Sequence, residues 1–271
     1  MATVEASDGV KLYAEVHGRG LPVLLSCGYC QTHENFRGQV EPLRAAGCRV
    51  VLWDYRGHGK SEAPHDPLAY SMERVVDDMR AVLAWAAPGE RAVVGGLSFG
   101  GLASLHYALA HPRDVCGLLL FDSGPGFKKA EAQARWEAQV ERIATRLERD
   151  GWDAFLAGRG ADTAVGSDRE RPAARTAARA IAAQDPRAIA CFGRRVAGPA
   201  QSVIDALPDL EVPALILVGE HDEAYLRAAD VMGAKLPDAT RVTIPDAGHV
   251  SNIEQPDAFN AALIGFLDRL R

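Results

Sequence analysis

The chain has 271 residues, 48% of them hydrophobic and 24% charged, with a formal net charge of −6. That is an ordinary globular composition, long enough to bury a sizeable core, and it excludes intrinsic disorder. The acidic balance, with arginines scattered and not blocked, excludes a nucleic-acid partner; a small neutral or apolar substrate is expected instead.

In chain order, the opening MATVEASDGVKLYAEV lacks the basic head and apolar run of a signal peptide. It reads as a hairpin, TVEAS and KLYAEV joined by the turn pair Asp8-Gly9. PVLLSC (22–27) and RVVLWDY (49–55) are short apolar runs that suit buried strands. From Ser71, a plausible N-cap, the spacing of Val75, Val76, Met79, Val82 and Leu83 predicts a helix. RAVVGGLS (91–98) is a further strand, followed by a helix to His111-Pro112. VCGLLLFDS (115–123), ALILVGE (214–220) and the weaker TRVTIPDAG (240–248) complete the set. A final helix from Pro256 carries Phe259, Leu263, Phe266 and Leu267 on one face.

Apolar strands alternating with helices predict an α/β fold: a mostly parallel, eight-stranded sheet with helices on both faces and one antiparallel edge. The stretch between Ser123 and Pro213 breaks this alternation. Trp136, Val140, Ile143 and Leu147 form one helical stripe, and Ile189, Phe192 and Val196 a weaker one, with Asp185-Pro186 as an N-cap pair between them. The expected organisation is a core of residues 1–124 and 207–271 with a helical cap insertion at 125–206. No run approaches the roughly 20 apolar residues of a membrane span. Five cysteines, an odd number, argue against a disulfide framework and for a reducing cytoplasm. The oligomeric state is left open.

Gly95-Gly96-Leu97-Ser98-Phe99-Gly100-Gly101 contains G-x-S-x-G between a strand and a helix, the context in which this motif makes a nucleophile of its serine. The sharp turn brings neighbouring backbone very close, and glycines two residues either side leave room. The helix start also places the Phe99 N–H where an oxyanion would form. A serine nucleophile needs a base. Among eight histidines, His249 follows Asp246-Ala247-Gly248 at the end of the last strand, the sheet edge where open α/β sheets put their ligands. His17, His65, His106 and His111 suit turns or a helix surface, and His58 a structural turn. The base needs an orienting carboxylate. Asp222 closes Gly219-Glu220-His221-Asp222 on the preceding strand, and Ser98, Asp222, His249 follow the Ser…Asp…His order. Asp122 also ends a strand and is its rival.

With these residues in place, nearly the whole chain resembles the cap-bearing α/β-hydrolases, in particular enol-lactonases, cofactor-free haloperoxidase/esterases and carboxylesterases. The matching segments are Asp54-Tyr55-Arg56-Gly57-His58-Gly59-Lys60-Ser61, the serine elbow, Gly219-Glu220-His221-Asp222, and Gly248-His249 with Glu254-Gln255-Pro256. The resemblance implies that 54–61 is a structural turn below the site. It also implies that the residue after a His-Gly pair supplies a second oxyanion N–H. Here the segment is Ser26-Cys27-Gly28-Tyr29-Cys30, so Tyr29 is the donor by position and Cys27 replaces the histidine.

Cys27-Gly28-Tyr29-Cys30 is also a C-x-x-C, but the whole-chain pattern makes a redox role a coincidence. No spaced His/Cys set for a metal and no phosphate-binding G-x-x-x-x-G-K-[ST] are present, and no cofactor is implied. The expected activity is hydrolysis of a carboxylic ester or lactone of a small, largely uncharged substrate through an acyl-enzyme. Phe127, Trp136, Trp152, Phe155 and Phe192 would roof an apolar pocket, unless they pack within the cap itself. The same constellation also suits a C–C bond hydrolase, an acyltransferase or perhydrolase, a lyase, or a slow-turnover ligand receptor.

Overall fold

The computed structural model describes residues 2–271. Eight strands form a single sheet: β1 (Ala2–Glu5), β2 (Lys11–Gly18), β3 (Leu21–Ser26), β4 (Cys48–Trp53), β5 (Ala92–Leu97), β6 (Val115–Phe121), β7 (Ala214–Gly219) and β8 (Ala239–Ile244). Their spatial order is β1-β2-β4-β3-β5-β6-β7-β8. β1 and β2 form the expected hairpin, with Gly9 at φ 87° in its turn. β2 also runs antiparallel to β4, and every later pairing is parallel.

The helices are α1 (Arg37–Ala45), α2 (Met72–Ala86), α3 (Phe99–Ala110), α4 (Ala130–Ala157), α5 (Asp162–Val165), α6 (Pro172–Ala182), α7 (Pro186–Phe192), α8 (Glu223–Lys235), α9 (Ser251–Glu254) and α10 (Pro256–Leu267). Ser71 caps α2 by accepting the Arg74 N–H at 3.2 Å, and Asp185 caps α7 by accepting the Arg187 N–H at 2.9 Å. α1, α6 and α8 carry narrow apolar faces: Val40 and Leu43 in the first, which also holds Pro42; Ala174, Ala177 and Ile181 in the second; and Ala229 and Met232 in the third.

Strand periodicity explains the two apolar layers. Side chains alternate faces along a strand, so Ile216 and Val218 of β7 join one cluster while Leu215 and Leu217 join the other. The first cluster takes Val75, Met79 and Val82 of α2, Ala103 and Tyr107 of α3, and Met232 of α8. The second takes Leu43 of α1 and Phe259, Leu263 and Phe266 of α10. The central strands are buried on both faces, which is why they read as unbroken apolar runs.

Between β6 and β7 the described residues hold only helices and turns, α4 to α7. α4 bends at Gly151, whose φ of 70° is non-helical. α7 runs into a short π-helix, Gly193–Ala197. The 54–61 segment is held as a turn by fully buried Arg56, whose guanidinium pairs with Asp78 at 2.6 Å and Asp8 at 2.8 Å. The Asp54 carboxylate accepts from the His33 and Lys60 backbone.

Candidate active site

The carboxyl ends of β5, β6 and β7 and the loop beyond β8 converge on one edge of the sheet. Ser98 stands between β5 and α3 with φ 54° and ψ −116°, a left-handed strain that a non-glycine residue rarely holds unless its surroundings over-determine it. Those surroundings are visible. A Cβ on Gly96 would come within 2.0 Å of the Ser26 carbonyl oxygen, and one on Gly100 within 2.1 Å of the same atom. The Ser98 N–H donates to Phe121 O at 2.9 Å, and the Ser123 hydroxyl donates to Ser98 O at 2.7 Å. The elbow is therefore clamped by β3 on one side and the end of β6 on the other.

The segment after β3 passes directly beside the serine. A Cβ on Gly28 would sit 3.4 Å from Ser98 Cβ. The Tyr55 hydroxyl donates to Cys27 O at 2.9 Å, and the Gly28 N–H is taken by Gln31 Oε1 at 2.7 Å. Among the described residues, the N–H groups of Tyr29 and Phe99 donate to no protein acceptor. For Phe99 this is the ordinary condition of a helix's first residues. Cys27 and Cys30 are buried free thiols, and burial pushes both well above the usual cysteine range.

Asp222 and His249 meet because two loops are stitched together. The His221 N–H donates to Ala247 O at 2.8 Å and the Glu220 N–H to Ile244 O at 2.9 Å. A Cβ on Gly219 would come within 2.2 Å of Gly248 O, so only glycine permits this approach. His249 Nδ1 then lies 2.8 Å from Asp222 Oδ2. The acceptor-only carboxylate assigns the proton to Nδ1 and leaves Nε2 as the basic nitrogen. Burial opposes charge on His249. The Asp222 hydrogen bond and charge, with Asp122 and Glu254 behind, outweigh it and hold the imidazole above the usual histidine value.

Asp122 has no hydrogen bond to His249. It is fully buried at φ 44°. Its carboxylate accepts the Gly219 N–H at 2.7 Å and the Ser251 hydroxyl at 2.5 Å. It thus ties together the loops that carry Asp222 and His249. Burial pushes its carboxyl up to about 7, against the lowering effect of the His249 charge and these hydrogen bonds.

Two side chains, Tyr225 and Gln31, and the contacts of a third, Glu254, were hidden from sequence reading. The Tyr225 hydroxyl lies 3.5 Å from Ser98 Oγ, and its ring stacks on His249 with centroids 4.7 Å apart. Its spacing of three from Asp222, in the first turn of α8, was the available signal, since such neighbours share a helix face. Gln31 and Glu254 join the rim to the insertion. Gln31 Nε2 donates to Thr163 O at 3.3 Å. Glu254 accepts the Gly248 N–H at 2.5 Å and the Ser167 N–H at 3.0 Å.

The five aromatics expected to roof one pocket fall instead into three groups. Trp152 and Phe155 are buried edge to face, 5.5 Å apart, with Trp152 Nε1 donating to Gln184 O. Phe127 and Trp136 pair at 6.2 Å near the surface, with Phe127 42% exposed. Phe192 alone touches the elbow, 5.3 Å from Phe99, and is itself fully buried among Tyr55, His58 and Tyr70. The expectation of one shared roof is corrected. Alanine-rich α6 supplies little apolar area, so the large rings of α4 fill the interior between the insertion's helices. Side-chain atoms of Glu220, His221 and Asp246 lie within 4.8 Å of one another, but all three residues are exposed at the surface.

The sequence profile described as the alpha/beta hydrolase family matches residues 16–262. A putative 2-succinyl-6-hydroxy-2,4-cyclohexadiene-1-carboxylate synthase of Bacillus subtilis (strain 168) is 24% identical over 280 residues, 97% of this chain and 97% of that protein. Among solved structures, a thermophilic esterase from Thermogutta terrifontis superposes with a TM-score of 0.83 at 26% identity, covering 99% of this chain and 97% of its own. The enol-lactonase of Burkholderia xenovorans LB400 gives 0.84 at 25% identity, covering 98% and 100%. No described helix is long and apolar enough to cross a membrane.

Proposed function

The chain belongs to the alpha/beta hydrolase family, and from that premise we propose that it hydrolyses a carboxylic ester or lactone of a small, largely uncharged substrate through an acyl-enzyme. The observation that carries this reading is the strained serine elbow, Ser98 at φ 54°, on the same sheet edge as the 2.8 Å His249–Asp222 pair. In the proposed course, His249 Nε2 takes the Ser98 hydroxyl proton as Oγ attacks the carbonyl carbon. The Tyr29 and Phe99 N–H groups hold the resulting oxyanion. His249 returns the proton to the leaving oxygen as the C–O bond breaks. Water, deprotonated by the same nitrogen, then releases the acid and regenerates Ser98.

Residues 125–206 serve in this reading as a cap over the sheet edge, with Phe192 its apolar contact to the elbow. Likeness to an esterase and to an enol-lactonase over nearly the whole chain supports the ester or lactone class. A lyase on the same constellation is the second reading, and the B. subtilis relative at 24% identity is named a carboxylate synthase. The test is turnover of p-nitrophenyl butyrate, γ-butyrolactone and a 1,3-diketone by wild type and Ser98→Ala. Ester or lactone cleavage is expected, with kcat reduced about 10⁶-fold in a folded Ser98→Ala, as for triad serines elsewhere. A folded variant retaining a tenth of wild-type kcat would overturn the nucleophile, and turnover confined to the diketone would overturn the ester class.

A further inference from the structure

Tyr225 occupies a position that the two-step scheme leaves unused. It is the third residue of α8, directly after the Gly219–Asp222 loop, with its N–H bonded to Asp222 O at 2.9 Å. The first turn of α8 thereby swings the ring over the base. The ring lies on the His249 imidazole at 4.7 Å, tilted by 30°. The hydroxyl continues past the imidazole to Ser98 Oγ, 3.5 Å away, and that is its one hydrogen-bond partner among the described residues. It is likewise the one side-chain partner of Ser98 Oγ. A neutral phenol at this spot is a free donor on the reacting atom, on the side of the serine where His249 stands.

That side has a defined meaning for an ester. In the tetrahedral intermediate the carbonyl oxygen turns toward the backbone donors at the start of α3 and after β3. The leaving oxygen turns toward the nitrogen that will protonate it. We propose, building on the ester or lactone reading above, that Tyr225 is a further catalytic residue whose hydroxyl donates a hydrogen bond to the leaving oxygen. Tyr225 keeps its proton throughout. The C–O bond breaks, its electron pair goes to the leaving oxygen, and the proton on that oxygen comes from His249 Nε2. The hydrogen bond strengthens as negative charge gathers there, so it acts on the transition state more than on bound substrate. Burial raises the phenol above the ordinary tyrosine value, which keeps it protonated at working pH. The aromatic face also favours the imidazolium that forms beneath it.

This geometry names a substrate class. Help at the leaving oxygen matters most where the departing alkoxide is strongly basic, as in alkyl esters and lactones, and least for activated aryl esters. Tyr225→Phe removes the hydroxyl and retains the stacked ring. The experiment compares kcat/KM for ethyl, trifluoroethyl and p-nitrophenyl butyrate in wild type and Tyr225→Phe, with pH profiles for each. A hydrogen bond to developing charge predicts a loss of about 30-fold on the ethyl ester, falling to about threefold or less on the p-nitrophenyl ester. The acid limb of the pH profile should stay in place, because the ring still covers His249. An equal loss on all three esters, or a displaced acid limb, assigns Tyr225 a packing role and overturns the inference alone. Wild-type protein that hydrolyses none of the three, even though organophosphate labels Ser98, overturns the ester reading and this inference with it.

Discussion

The rim of the sheet and the helical insertion are held by different physics. At the rim, backbone touches backbone: Gly96, Gly100 and Gly219 each leave about 2 Å where a Cβ would stand, and Ser98 and Asp122 are fixed in left-handed conformations. No side chain there can relax without moving a strand. The insertion meets the core through side chains: Phe192 and Val196 join one apolar cluster, Val165, Ala177 and Ile181 join the other beside Cys30 and Phe36, and hydrogen bonds add to this packing. Gln184 Nε2 donates to Cys30 O at 3.0 Å, Asn35 Nδ2 to Ala164 O at 2.7 Å, and the Ser167 N–H to Glu254 at 3.0 Å. The rim is thus held by close backbone approaches, and the insertion by side-chain packing and side-chain hydrogen bonds. Substitutions of the side chains at the rim that face the reacting atoms should change chemistry with little change in stability, and those of the buried rings in the insertion the reverse.

The sharpest rim test after the serine is Asp222→Asn. Losing the carboxylate leaves His249 with the wrong tautomer, which costs about 10⁴-fold in kcat in a serine protease. The base works only when neutral, so kcat/KM should rise as pH rises through the His249 value, which lies above the usual one because of Asp222. Removing Asp222 should therefore move that limb to lower pH. A limb that stays in place, or a loss smaller than that of Asp122→Asn, would transfer the orienting role to Asp122.

On the insertion side, Phe192→Ala should destabilise the protein by about 3–5 kcal/mol, because the ring is fully buried among five others and its removal leaves a cavity. Denaturant melts measure this. A fall in kcat with unchanged stability would erase the contrast between the two regions.

Asp122→Asn lies between. It retains an acceptor for the Gly219 N–H but mismatches Ser251, costing about 1–3 kcal/mol, with kcat expected within about tenfold of wild type. The pH dependence has a definite sign. Burial pushes the folded carboxyl up to about 7, while the unfolded one keeps the ordinary aspartate value of 3.8, so the folded state binds more protons between those limits. This group's stabilisation is complete below about 4 and is lost as pH rises through about 7. Asp122→Asn should flatten the decline of stability over that window, as read by thermal midpoints from pH 4 to 8. The smallest effect is expected for Phe127→Ala. With 42% of the residue exposed, its removal should change stability by about 0.5 kcal/mol or less and leave KM for butyrate esters within about twofold. A larger rise in KM would return Phe127 to the pocket.

The eight strands and their order along the chain were legible because each is a contiguous run with one dominant pattern. The weaker β8 run was readable as well, although only Ile244 of it is fully buried, because its end carries the Gly-His pair. α5 and α6 were not legible. A four-residue helix is too short to show a period, and the α6 stripe of Ala174, Ala177 and Ile181 is mostly alanine, which stands out little from its background. The aromatic roof was misread for a related reason. The spacing of Trp152 and Phe155 fixes that they share a helix, not which surface that helix turns inward.

The sequence by itself determined the sheet, the elbow, and the three strand ends that carry Ser98, Asp222 and His249. These follow from period-two alternation, glycines at fixed offsets and chain order, all of which act between near neighbours. Only the tertiary structure decided what those ends touch. It brought Nδ1 of His249 to a carboxylate 27 positions earlier and gave Asp122 to Ser251, 129 positions later. It also laid Tyr225 over a serine 127 positions before it. Such contacts depend on how two loops bend after their strands end. That bending is set by approaches of about 2 Å at single glycines and by the packing of helices onto both faces, a sum over the whole chain that no local pattern records.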